Sequence, residues 1–373
     1  MNLKTKDKKH KASPLMQKLL PLLIIFLISN LSFSQISQNL ESKIDSLIQT
    51  EFNNSNEPGG AFLISHNGKP IYKKAFGLAN LELEVKMTPD NVFQIGSMTK
   101  QFTAVAILML EEQGKLSVND PISKFIPDYP NGKNITVSHL LTHTSGIKDF
   151  TKMKTIFEIA QKEMTPKEMM GFFKEEPVDF SPGEKFEYNN SGYIVLGYLI
   201  ELTAGKTYEE FIQKNIFDKI GMKNSYYASD RKVITNRAYG YHKKSYGFVN
   251  KTVISFSVPF SSGSLMSTLD DMLKWQNALN PNVLLQPENL TKAFTRQSLS
   301  NSEKIEYGYG WHLKNEVGIP TREHGGSIFG FKSMGVYIPS KDIYVLGLSN
   351  CDCHSPTQIV RDLTKLIGEK TRE

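Results

Sequence analysis

Apolar positions recur at helical spacing near both ends of the chain and through its middle, with strand-like runs between. From 38 to 55, Leu40, Ile44, Leu47 and Ile48 share one face, which predicts an amphipathic helix. GGAFLISHNGKPIYKKAFG follows, two β-rich runs around Asn67-Gly68, a dipeptide suited to a tight hairpin turn. Near the other end, KSMGVYIPSKDIYVLGLSN reads as a second hairpin turning at Pro339–Asp342. A last helix from Pro356 to Ile367 carries Ile359, Leu363 and Leu366 on one side.

The middle of the chain predicts helices over 97–114, 136–145, 166–175, 191–204, 207–219 and 269–279. Gly114 and Gly205 stop two of them, and Thr165-Pro166 starts another. Strands at both ends with helices between imply an antiparallel sheet closed by the two termini, with a mostly helical insert.

Composition changes this picture little. The chain has 373 residues, 39% hydrophobic and 22% charged, ordinary globular usage with ample material for a core. Charge changes it more. The formal net charge is +6, but the first 34 residues carry +5 of it, with Lys4, Lys6, Lys8, Lys9, Lys11 and Lys18 against Asp7. The apolar run Leu19–Ile28 comes next, then small Ser32 and Ser34. That order predicts a secretory signal over 1–34, cut after Ser34, and an exported, periplasmic or extracellular product. The run is shorter than the roughly 20 residues of a membrane span, so the chain would be membrane-anchored only if this segment were retained. The rest, at +1, offers no basic surface for nucleic acid, and no such partner is expected.

Cys351 and Cys353 stand one residue apart, too close in sequence for an easy disulfide, so ordinary thiols at a strand end are expected. With His354 they supply too few ligands for a metal. His139 and His143 in HLLTH could chelate one, but Leu140 occupies the position of the glutamate in H-E-x-x-H. No metal and no cofactor are expected. AGKT at 204–207 lacks the first glycine of a phosphate loop, and G-x-S-x-G does not occur. The aromatic run Tyr226–Phe248 suits either a glycan contact or a surface loop.

Three segments carry candidate chemistry. In FQIGSMTKQF, Ser97 and Lys100 are three apart at a helix start and share a face. A serine hydroxyl needs a base to become a nucleophile. A lysine can be that base once desolvation lowers its pKa, and the apolar stretch from Phe102 to Leu108 would bury it. In EKFEYNNSGY, Tyr188 is a candidate general acid and base, and Asn190 a group that holds both the lysine and a substrate carbonyl. In REHGGSIFGF, His324 would position substrate, Gly325 and Gly326 would let a substrate backbone approach, and the amide of Ser327 could join that of Ser97 as an oxyanion hole.

GSMTK, YNN and HGG in this order resemble the three motifs of the serine β-lactamase and penicillin-binding-protein superfamily. The branch most similar includes class C β-lactamases, D-alanyl-D-alanine carboxypeptidases, D-aminopeptidases and lactamase-like esterases. LLTHTSGI, FSPGEKFEYNNSGYIVLG, IGMKNS, SSGSLMSTLDDMLKW and YGYGWHL extend the likeness from about Gly59 to Ile367.

The resemblance implies an α/β (α+β) fold: a five-stranded antiparallel sheet flanked by helices, from 56–95 and 260–373, plus a helical subdomain over about 96–255, all within one catalytic domain over 35–373. It also implies an acyl-enzyme on Ser97 with Lys100 and Tyr188 moving protons, and Asn190, His324, Gly326 and Ser327 binding substrate. The substrate would be a small molecule or peptide with a carbonyl: an ester, a D-amino-acid amide or a β-lactam. His324-Gly325-Gly326 stands where penicillin-binding proteins carry Lys-Thr-Gly, which fits esterase and peptidase members better than an efficient β-lactamase. The rival reading is a non-catalytic relative that binds cell-wall fragments or a partner through the same cleft.

Overall fold

The computed structural model describes residues 37–316 and 318–370, so the leader lies outside the described residues. The first helix, α1 (Gln38–Ile48), ends sooner than its apolar pattern suggests, and Ser37 caps it. The main sheet is built from β1 (Gly60–His66), β2 (Lys69–Phe76), β3 (His312–Glu316), β4 (Ile319–Ile328), β5 (Phe331–Ile338) and β6 (Ile343–Ser349). It has six antiparallel strands in the order β3-β4-β5-β6-β1-β2, not five. The extra strand is HLKNE, too short and polar to read as one; its register on β4, from His312 opposite Glu323 to Glu316 opposite Ile319, makes it an edge.

Both expected hairpins form, with Asn67 at φ 52° and Gly68 at φ 70° in the first turn. β1 pairs with β6, Leu63 opposite Leu346, so the two ends of the chain meet in mid-sheet. The segments 93–94 and 265–267 do not join the main sheet; with Tyr226–Tyr227 they form a separate three-stranded one.

The sheet is buried on both faces, which explains its near-continuous apolar strands. Phe62, Ile64, Val336 and Val345 pack under α1 and the C-terminal helix, which runs Thr357–Lys370. Ala61, Leu63, Leu346 and Leu348 face the larger core around α2 (Thr99–Glu112) and α3 (Asn190–Ala204). Every side chain from Thr99 to Leu110 is buried, so α2 runs through the centre of the molecule. Phe102 on α2 stacks on Trp275 with ring centroids 3.9 Å apart.

Other helices are shorter than their periodicity suggests. The one expected over 136–145 is Val137–Leu141, because His143 turns to φ 59°. The one over 166–175 is Pro166–Gly171, opened by a capping box between Thr165 and Glu168.

The cysteines correct an expectation: Cys351 and Cys353 are joined by a disulfide. The chain turns just beyond β6, which sets their Cα atoms 5.1 Å apart, within bridging range. Among the described residues no helix is long and apolar enough to cross a membrane.

Candidate active site

Ser97 sits where three elements converge. Phe93–Gln94 pairs with Met266–Ser267, and Ile95 N–H donates to the Leu265 carbonyl at 3.0 Å. The chain then tightens through Gly96, at φ 52°, into a short 3-10 turn over Gly96–Met98 that feeds α2. β4 presses on this turn from the other side. A Cβ on Gly326 would lie 2.0 Å from the Ile95 carbonyl oxygen, and one on Gly96 would lie 3.0 Å from the Ser327 nitrogen. Ser333 on β5 ties the arrangement by donating its hydroxyl to Ile95 O at 2.9 Å. Between Asn91 and Lys100, Ser97 alone is not fully buried.

Lys100 lies one turn further, wholly buried. Its Nζ is 2.8 Å from Asn190 Oδ1, 2.9 Å from the Ser262 carbonyl and 3.2 Å from Ser97 Oγ. The first two partners can only accept. A neutral amine donating to both keeps its lone pair for the Ser97 hydroxyl, which is the geometry of a base. Nζ also stands over the rings of Tyr188 and Tyr193, at 4.9 and 5.4 Å. Burial pulls its pKa down to about 7, against the opposing pull of the Asp149 carboxylate.

Asn190 opens α3, whose N-cap is Asn189, with Oδ1 accepting from Gly192 N–H at 2.9 Å. Its own Nδ2 donates to Asp149 Oδ2 at 3.2 Å, so the amide can face Lys100 only with its oxygen. The hydroxyl of Tyr188 is buried beside that of Ser97; burial raises its pKa, and the Ser97 hydroxyl lowers it. His143 lies against the Tyr188 ring, centroids 4.3 Å apart, and accepts the Asn189 N–H through Nδ1 at 3.0 Å.

Ser97, Tyr188, Asn190 and Ser327 line one cleft of about 490 Å³, with Phe150, Ile156, Ile254 and Val258 among its apolar wall. His324 is not on that wall. It is 2% exposed, accepts from Tyr307 Oη at 3.1 Å, and donates from Nδ1 to the Gly325 carbonyl at 2.6 Å. Burial, His312 and Lys100 hold it far below the usual histidine range, so it is neutral. Its place is behind the site, in a buried group with Tyr307, Tyr188 and His312. Gly326 likewise differs from expectation: the backbone it lets approach is the chain's own Ile95.

Sequence reasoning missed Asp149, His143 as a support for Tyr188, and the Ser262 carbonyl. Their signals were the segments THTSGIKD and SSGS, whose chemistry is invisible until α2 and α3 meet. His139 and His143 do separate jobs: His139 Nδ1 accepts Thr136 N–H to close a helix cap. The run 226–248 contributes nothing to the cleft wall.

The family described as Beta-lactamase matches residues 44–366. The chain is 30% identical to the putative penicillin-binding protein PbpX of Bacillus subtilis, over 78% of this chain and 70% of that one. It is 28% identical to penicillin-binding protein 4* of the same organism, over 78% and 68%. Among solved structures, the octameric penicillin-binding protein homologue from Pyrococcus abyssi superposes with a TM-score of 0.77 at 32% identity, covering 88% of this chain and 77% of that one. A D-amino acid amidase from Ochrobactrum anthropi shares the fold, with a TM-score of 0.78 at 24% identity over 90% and 100%.

Proposed function

We propose that this chain, which belongs to the β-lactamase family, is an exported serine hydrolase that forms an acyl-enzyme on Ser97 and cleaves an ester or amide. The observation that carries this reading is the place of Lys100 Nζ, 3.2 Å from Ser97 Oγ, with its other two contacts to the acceptor-only Asn190 Oδ1 and Ser262 carbonyl. Ser97 Oγ bonds to the substrate carbonyl carbon while its proton passes to Lys100. The negative charge moves to the carbonyl oxygen, held by the amides of Ser97 and Ser327. The C–O or C–N bond then breaks, and the leaving group takes a proton from Tyr188, which is resupplied from Lys100. Water attacks the acyl-enzyme, giving one proton to the same pair, and Ser97 leaves with it. Asn190 fixes the lysine and meets the substrate carbonyl. No metal or cofactor enters these steps.

The neutral, buried His324 favours esters and peptide-like amides over β-lactams, because it supplies no charge at the third motif. Export rests on the basic, apolar and small-residue order of residues 1–34.

The test is a turnover screen on the mature chain with p-nitrophenyl acetate, D-alanyl p-nitroanilide and nitrocefin, with fluorophosphonate labelling of wild type and Ser97→Ala. Turnover and labelling that both vanish in Ser97→Ala support the reading. A wild type that takes up no label, and a Ser97→Ala variant matching it on every substrate, would sink it. Rapid nitrocefin turnover with inert esters would reverse the substrate preference.

A further inference from the structure

The cleft wall carries two charged side chains, Lys332 and Asp352. They are held differently. His242 accepts Thr252 N–H through Nε2 at 2.9 Å and therefore donates from Nδ1 to Asp352, at 2.5 Å. Asp352 is thus held by a partner within the protein. Lys332 opens β5 opposite Ser327 in the β4–β5 register, and is half-buried. Its Nζ donates to Ser327 Oγ at 2.9 Å, a neutral partner, and among the described residues no carboxylate comes within ion-pair distance of it. Ser327 in turn is the residue whose backbone nitrogen faces Gly96, next to Ser97. Of the two charged side chains on the cleft wall, Lys332 is therefore the one tied to the strand that packs against the Ser97 turn. Much of the remaining wall is apolar, Phe150, Ile156, Ile254 and Val258 among it, so an anion entering there finds little else to balance its charge.

We propose that Lys332 sets the specificity of this cleft by binding an anionic group, a carboxylate in the first instance, on the substrate. The substrates are then acyl compounds bearing a negative charge beside an apolar body, and compounds whose charge is an ammonium are disfavoured. This rests on the reading of Ser97 as the nucleophile.

The experiment compares esters that differ in charge. Mono-4-nitrophenyl suberate is set against 4-nitrophenyl octanoate, placing the charge on the acyl side. 5-Acetoxy-2-nitrobenzoate is set against 4-nitrophenyl acetate, placing it on the leaving group, with 3-(trimethylammonio)phenyl acetate as the cationic member. For at least one pair, the wild type should favour the anion by roughly fivefold or more in kcat/KM, through KM, and less so as salt rises. Lys332→Gln should bring that ratio close to one, and Lys332→Arg should keep it.

No anion preference on either side, a preference unchanged in Lys332→Gln, or a preference for the cationic ester overturns the proposal; the last would assign the site's charge to Asp352. Equilibrium binding of the same esters to Ser97→Ala protein, with and without Lys332→Gln, reads the preference without turnover. Absent turnover and absent fluorophosphonate labelling would defeat the hydrolase reading alone, while the binding arm would still decide the role of Lys332.

Discussion

The amide of Asn190 stands between Lys100 and Asp149, accepting from the lysine through Oδ1 at 2.8 Å and donating to the carboxylate through Nδ2 at 3.2 Å. The buried amine thus feels a negative charge at one remove. A direct ion pair would hold the lysine protonated and useless as a base; with the charge further off, desolvation wins.

Activity should follow the proton on Lys100. Its pKa of about 7 predicts that kcat/KM climbs with pH below 7 and levels above it. Lys100→Met should lose at least ~100-fold in kcat/KM.

The same shift predicts the stability of that variant. Between about 7 and the ordinary 10.5, the unfolded chain binds the proton and the folded one does not. Wild-type stability therefore gains from this group as pH rises through that window, and the full burial penalty is present below it. Lys100→Met removes the penalty, so its Tm advantage over wild type should be largest near about pH 6 and shrink by about pH 9, as read by paired thermal melts.

Asp149→Asn should move the acid limb of the activity profile to lower pH, because the carboxylate it removes is what raises the Lys100 pKa. A pH profile of kcat/KM for the pair checks this. A limb that moves up instead would mean that the loss of Asn190 orientation, not charge, governs the site.

Tyr188→Phe should separate activity from stability. Its hydroxyl is buried with only the Ser97 hydroxyl beside it, so a polar group that is poorly satisfied in the folded state is removed. The variant should melt at or above the wild-type Tm while turnover falls ~10²–10⁴-fold.

Gly326→Ala should damage the turn that carries Ser97. The new Cβ would fall 2.0 Å from Ile95 O and 2.3 Å from Ser333 Oγ, so β4 must retreat from the Ser97 turn. A loss of about 1–3 kcal/mol is expected, with a lower kcat. Gly325→Ala, whose nearest neighbours would be Met334 Sδ and Ser333 O at 3.3 Å, should be the milder change; denaturant melts of both decide.

The elements were legible where a local pattern has one solution. Asn67-Gly68 demands a hairpin, and the apolar stripe of Ile359, Leu363 and Leu366 demands a helix against the sheet. HLKNE was not legible as a strand, because an edge is defined by the neighbour it pairs with. The disulfide was not legible either, since a turn rather than sequence separation sets the distance between Cys351 and Cys353.

Of the site, the sequence determined that Ser97 and Lys100 share one face of a helix start, which follows from helical spacing, and that the apolar run after them would bury the lysine. The three motifs it contains also imply the family. Only the tertiary structure decided what surrounds them. It brought Asn190, Asp149 and the Ser262 carbonyl to the amine, turned His324 inward to Tyr307, and spent the freedom of Gly326 on Ile95. Those choices depend on how α2, α3 and β4 pack together, and close packing of elements distant in sequence is not written in any one segment.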